Sequence, residues 1–221
     1  LLPLGAEQSA EGLKTWQPTG LTRAQTVKTP AYWAFTLGLT LVSFIGMGMT
    51  PHIIAYLTDI GYSSSTASSV QAAVMWALVL AEVVLGAVFD RVGAARAAIL
   101  SGLCMVASLV SIMLCRGSAI MPFVFGYSIG TVPASFLVIE NFGAREFSAI
   151  YSISSMLSGI FSSFGPSVTG ALYDMSGSYD IVWPIYLGFI CLAMASLALA
   201  ANSSLHKNYN PRAVRPGAGK H

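Results

Sequence analysis

The chain has 221 residues, of which 55% are hydrophobic and only 9% charged, and its net charge is +2. Soluble domains carry about 25% charged residues, so this composition excludes an ordinary soluble domain and points to an all-α membrane protein. So small a net charge gives no basis for a nucleic-acid partner, and the lipid bilayer is the partner the composition implies. Cys104, Cys115 and Cys191 lie in or at the ends of apolar runs, without the paired spacing of a metal site. They read as small buried hydrophobes, and neither a metal nor any other cofactor is expected.

Residues 1–29 carry Lys14, Arg23 and Lys28 and no sustained apolar run. They read as a linker with a short amphipathic turn around Leu21 to Val27. The chain starts without Met or a signal-peptide pattern, so it is expected to be a piece of a longer protein. Six apolar runs follow, near Ala31–Leu57, Ala67–Phe89, Ala97–Leu114, Ala119–Ile139, Phe147–Tyr173 and Ile181–Ala201. Each approaches the ~20 residues with which a helix crosses the hydrocarbon layer, and a helix satisfies its own backbone in lipid. The expected organisation is a linker at 1–29, a six-helix bundle at 30–201 and a tail at 202–221. Gly46, Gly48 and Thr50-Pro51 in the first run, and Gly165-Pro166 in the fifth, mark bends and close helix approaches.

Six spans put both termini and every second loop on one side. That side receives ten of the eleven basic residues, and the other receives Arg116 alone. The positive-inside rule makes the first side cytoplasmic. Asp59 and the Asp174–Asp180 loop then face outward.

The charges cluster at the end of the second run, in Ala81–Arg96, AEVVLGAVFDRVGAAR. Gly86, Asp90, Arg91 and Gly93 resemble the loop signature of the major facilitator superfamily, G-x-x-x-D-R-x-G-R-R. Ala94 and Ala95 stand where basic residues are usual, and Arg96 follows one place late. TPAYWAFTLGLTL, PHIIAYLTDIGYS and FGAREFSAIYSISSMLSGIFSSFGPSVTGALYDMSGSYD resemble monocarboxylate and oxalate–formate facilitators over about Thr29 to Ala201. The resemblance implies six transmembrane helices forming the C-terminal half of a twelve-helix fold, built from two inverted three-helix repeats. It also implies a missing N-terminal half as partner, a substrate held between the halves, and a gate at Asp90, Arg91 and Arg96.

Glu82 is the only acid well inside a run, and ionisable groups at bilayer depth mark substrate or proton paths by default. Gln71, Met75, Leu78 and Glu82 share one helix face. Glu82 reads as a proton carrier or a polar contact to substrate; the competing reading is a structural carboxyl bonded to a neighbouring helix. Carboxylate transporters of this type commonly carry Arg at the position of Glu82, so either the missing half supplies the positive charge or the substrate is neutral or cationic. His52 reads equally as part of a proton route or as a hydrogen-bonded helix residue. Tyr127, Tyr151, Ser155 and Ser158 read as cavity lining, with helix–helix bonding as the alternative for each hydroxyl.

No enzyme is expected. Gly126–Gly130 fits G-x-S-x-G but lies in an apolar helix rather than a strand-to-helix elbow. Tyr173-Asp174 and Tyr179-Asp180 lie in one loop region rather than on two catalytic helices. The expected function is secondary active transport of a small solute. By resemblance the solute is an organic anion such as a mono- or dicarboxylate, moved by alternating access with proton coupling or exchange in a plasma (inner) membrane. The alternatives are a neutral or cationic solute, or a non-transporting receptor or assembly partner on the same fold.

Overall fold

The computed structural model describes residues 20–115 and 132–201. The expected fourth run lies largely outside these residues, and only its end is seen, as a helix Val132–Phe142. Among the described residues the chain is helical, and its β-pairing is a single antiparallel bridge, Gly20 with Gly143.

A four-residue helix α1 (Arg23–Thr26) opens the chain, capped by Thr22 and Gln25 in a reciprocal capping box. Thr29 then caps α2 (Pro30–Met49), whose first residue is a proline that needs no amide partner there. A 3₁₀ turn at Thr50–His52 joins α2 to α3 (Ile53–Asp59). The helices α4 (Ser64–Val92) and α5 (Ala94–Cys115) are separated by Gly93 alone, and α6 is Val132–Phe142. The fifth run is two helices, α7 (Phe147–Ser162) and α8 (Gly165–Ser176). A 3₁₀ turn at Tyr179–Ile181 leads into α9 (Val182–Ala201).

Among the described residues, four spans are long and apolar enough to cross a membrane: Pro30–Asp59, Ser64–Val88, Phe147–Ser176 and Tyr179–Ala200. The apolar part of α5, Arg96–Val110, is shorter. A helix rises about 1.5 Å per residue, so the two 30-residue spans exceed the hydrocarbon thickness and have length to tilt or protrude.

The central column is α2, which packs on α7, α8 and α9, while α5 lies behind α9. Its buried face carries Tyr32, Phe35, Leu39, Val42, Ile45 and Met49, at the helical repeat. Trp183, Tyr186 and Ile190 are buried on α9, which packs on α2. The helix α4 touches α3, α5 and α6 and turns Trp76, Leu80 and Val83 outward. Exposed apolar side chains of this size on a long apolar helix suit lipid rather than water.

Glycines beside the breaks in the two longest spans let their backbones meet. A Cβ on Gly165 would lie 2.6 Å from the Phe44 carbonyl oxygen and 2.9 Å from the Gly48 nitrogen. A Cβ on Gly48 would strike the Tyr186 hydroxyl and lie 2.9 Å from Thr169 Oγ1. The backbones of α2 and α8 therefore touch, which only glycine allows. Thr169 and Tyr186 hydrogen-bond beside the crossing.

The segment before α2 is tied down at the opposite end of the bundle. The Leu21 amide donates to the Phe142 carbonyl at 3.0 Å. The Arg23 amide donates to Glu146 Oε2 at 2.8 Å, and Trp33 Nε1–H donates to the Val27 carbonyl at 2.9 Å.

Candidate functional site

The sequence-selected residues fall into three regions. The first is the inward side of α4. Gln71, Met75, Leu78 and Glu82 are all half-buried, beside the fully buried Val74 and Ala81. The opposite side, with Trp76, Val79, Leu80, Val83 and Val84, is exposed. The shared face expected from the spacing is therefore the face turned toward the bundle. Gln71 Oε1 is buried without a hydrogen-bond partner among the described residues. A buried amide oxygen left unpaired costs about 1–3 kcal/mol, so the face carries unspent acceptor capacity about three turns from Glu82.

The second region is the turn between α4 and α5. Arg91 lies in the last turn of α4, where a cation suits the helix C-terminus. Gly93 has φ +87°, a conformation that favours glycine, and its carbonyl accepts the Ala97 amide at 3.2 Å to start α5. Arg91 and Arg96 are exposed. Asp90 lies in the last turn of α4, and its side chain is outside the described ones. Gly86 has open space around the position of a Cβ, so packing among the described residues gives no reason for glycine there.

The third region is the hydroxyl-bearing side of α7. Ser154, Ser158 and Ser162 form a buried row with Ile150, spaced four residues apart. The row meets α2, where Thr36 Oγ1 and Ser154 Oγ lie 3.2 Å apart. Ser158 Oγ is buried with no hydrogen-bond partner among the described residues. Tyr151 and Ser155 are half-buried beside this row, and Tyr151 stacks on Phe147 at 5.6 Å. The stripe read from the sequence thus divides between helix contact and a more open flank. Tyr127 lies outside the described residues.

His52 stands apart from all three regions. It sits in the break between α2 and α3 and bridges to two other elements. Its Nδ1 is 3.0 Å from the Tyr179 hydroxyl and its Nε2 is 3.1 Å from the Pro166 carbonyl. Around it is an aromatic cluster of Tyr56, Tyr173, Tyr179 and Trp183, with Tyr173 and Tyr179 rings 4.5 Å apart and Tyr56 and Trp183 rings 5.0 Å apart. The Tyr173 hydroxyl donates to Asp59 Oδ1 at 3.1 Å. Asp59, Tyr173 and Tyr179 were not selected from the sequence as site residues. The repeated Tyr-Asp pair was the available signal, since it places two aromatic hydroxyls beside carboxylates within one short segment.

Among the described residues no group of three or more His, Cys, Asp or Glu could hold a metal ion. No curated protein matches the chain. The family model for the Major Facilitator Superfamily matches residues 35–219. That match runs through the long apolar helices, the turn at Gly93 and the serine row of α7. The chain is an integral membrane protein of a family that moves small solutes across membranes, and it belongs to the major facilitator superfamily.

Proposed function

We propose that the chain is the C-terminal half of a twelve-helix secondary transporter whose solute is an organic anion such as a mono- or dicarboxylate. The observation that carries this reading is Glu82, a carboxyl on the bundle-facing side of a membrane-spanning helix in a family of transporters. Ionisable groups at bilayer depth are rare, and by default they mark a path for protons or polar solute. In this reading Glu82 takes up and releases the coupling proton or contacts the solute, while Gln71, Tyr151, Ser155 and Ser158 offer hydrogen bonds to it. Tyr127 joins them by sequence. Asp90, Arg91 and Arg96, with Gly86 and Gly93, form the gate turn.

The same reading takes residues 1–29 as the central cytoplasmic linker, 30–201 as six spans and 202–221 as a cytoplasmic tail. The membrane is the plasma (inner) membrane, and the partner is the N-terminal half. Alternation then exposes the face of α4 and α7 to either side by rocking the two halves.

Proton-driven uptake by the full-length protein in sealed vesicles, screened over small mono- and dicarboxylates, tests the reading. Uphill uptake is expected, and Glu82→Gln is expected to reduce it at least 100-fold with protein levels unchanged. Uptake that survives Glu82→Gln would return Glu82 to a structural role.

A second reading has one specific observation in its favour. No Lys or Arg occurs between Lys28 and Arg91, or between Arg145 and Lys207. These stretches offer no cation to bind a carboxylate, so a neutral or cationic solute fits them better. Uptake of such a solute, with none of any acid, would select this reading. Absence of flux for every solute class would leave a receptor or assembly partner on the same fold.

A further inference from the structure

The two longest spans are both interrupted, at Thr50–His52 and at Ser163–Phe164, and a single side chain joins the interruptions. His52 lies in the first and reaches the Pro166 carbonyl just past the second. It also reaches Tyr179, which starts the turn leading into α9. Three spans are thus fastened at one imidazole.

The chemistry of the partners fixes the protons. A peptide carbonyl only accepts, so Nε2 must carry a hydrogen and donate to Pro166. In neutral imidazole Nδ1 is then the acceptor, and the Tyr179 hydroxyl donates to it. When Nδ1 takes a proton from solvent, it becomes a donor and Tyr179 must accept. The Nε2 bond is unchanged, and the Tyr179 O–H bond stays intact but rotates away. The geometry accommodates both forms of the imidazole and distinguishes them by the direction of one hydrogen bond.

On the elements packed around His52 the ionisable groups are Tyr56 and Asp59 of α3, Tyr173 and Asp174 of α8, Tyr179 and Asp180 of the 3₁₀ turn, and Tyr186 of α9. Asp59 receives the Tyr173 hydroxyl, and the Tyr173 ring lies on that of Tyr179. Three carboxylates and no Lys or Arg occupy this end of the three spans. Imidazole exchanges protons in the range around neutral pH. Hydrogen bonds from an ionised donor are about twice as strong as neutral ones.

We propose that His52, with Tyr179 and the Pro166 carbonyl, forms a proton-responsive clasp that fastens α3, α8 and the start of α9 together more tightly when His52 is protonated. The clasp closes the end of the bundle remote from Arg91 and Arg96. This deepens the transport reading by assigning a pH-sensitive closure to the end of the bundle opposite the gate turn. It differs from a proton route through His52, because the proton binds and leaves from the same side.

The test is hydrogen exchange read by mass spectrometry on the full-length protein in lipid nanodiscs, without any solute. Peptides covering 53–62 and 167–181 are compared at about pH 5.5 and pH 8, the two sides of histidine titration. Each rate is divided by that of the same peptide unfolded, which removes the intrinsic pH dependence of exchange. The expected result is about fivefold slower corrected exchange at the lower pH, the strength difference between a charged and a neutral hydrogen bond. His52→Gln, which keeps a side-chain hydrogen bond but cannot titrate, should abolish the difference. So should Tyr179→Phe, which keeps the ring contacts and loses only the hydroxyl. A pH effect absent from the parent, or persisting in either variant, overturns the clasp. Solute flux is measured separately, so pH-independent exchange in a protein that transports sinks the clasp alone. Normal clasp behaviour in a protein that moves no solute sinks the transport reading alone.

Discussion

Two hydroxyls in the core of the bundle have lost water without gaining a partner among the described residues. Tyr32 is fully buried with its hydroxyl unbonded, and Ser158 is buried on the α7 row. Removing an unpaired buried polar group recovers its desolvation cost. Tyr32→Phe should therefore raise stability by about 1 kcal/mol, read as a higher midpoint of thermal unfolding in detergent. Ser158→Ala separates two roles. A residue that only packs against α2 should give unchanged or higher stability with unchanged flux. A residue that contacts solute should lose flux at unchanged stability. Periodicity gave the face of α7 to within one residue, but not which hydroxyls on it are sealed against α2. That depends on how far α7 is rotated toward α2, which Tyr151, Ser155 and Ser158 alone do not encode. His52 was legible as ionisable and undecided in role. Its partners come from positions 114 and 127 residues away, which no local pattern reports.

At the scale of elements, glycine decides where helices cross and turn. Gly165→Ala forces a methyl against the Phe44 carbonyl and the Gly48 backbone, neither of which is a flexible side chain. Overpacking of this kind costs about 1–3 kcal/mol, and the thermal midpoint should fall accordingly. Gly93→Ala is a different case. Space is open around it, but its φ of +87° is strained for alanine, so a loss of about 1 kcal/mol is expected without any packing defect. The apolar runs announced most of the spans, because the bilayer imposes one length and one backbone solution. They announced bends at Pro51 and Pro166 but not that the bends meet. The run at Phe147–Tyr173 reads as one segment because hydrophobicity continues across Ser163 and Phe164, while the helix does not. Polar ends also lengthen the helices beyond their apolar runs. Ser63 Oγ accepts the Thr66 amide at 3.2 Å, so α4 starts at Ser64, ahead of the first sustained apolar residues.

For the whole molecule, the distribution of charge and the helix packing make opposite ends chemically distinct. One end carries Arg91, Arg96 and Arg145, all exposed; the other carries Asp59, Asp174 and Asp180. The proposed orientation, which rests on the positive-inside rule, puts the first end in the cytoplasm. A single cysteine at Ala144 should then react with an impermeant maleimide only after the membrane is opened, and one at Ser178 should react in intact cells. The reverse pattern would invert the orientation. For such labelling the native Cys104, Cys115 and Cys191 need prior replacement. The family was legible in the sequence because it rests on a short glycine-and-charge turn and a repeated helix length. The solute was not, because its recognition depends on a few side chains brought together from separate helices.

The pairing of Gly20 with Gly143, reinforced by the bonds from Leu21 to Phe142 and from Arg23 to Glu146, supplies an internal fiducial. A probe at Ala24 and another at Ala144, both exposed, would keep a short, constant separation through every state in which those bonds hold. Any spectroscopic ruler stretched across the bundle could be zeroed against that pair, so that a change in distance elsewhere is read as motion of the helices rather than as wandering of the label.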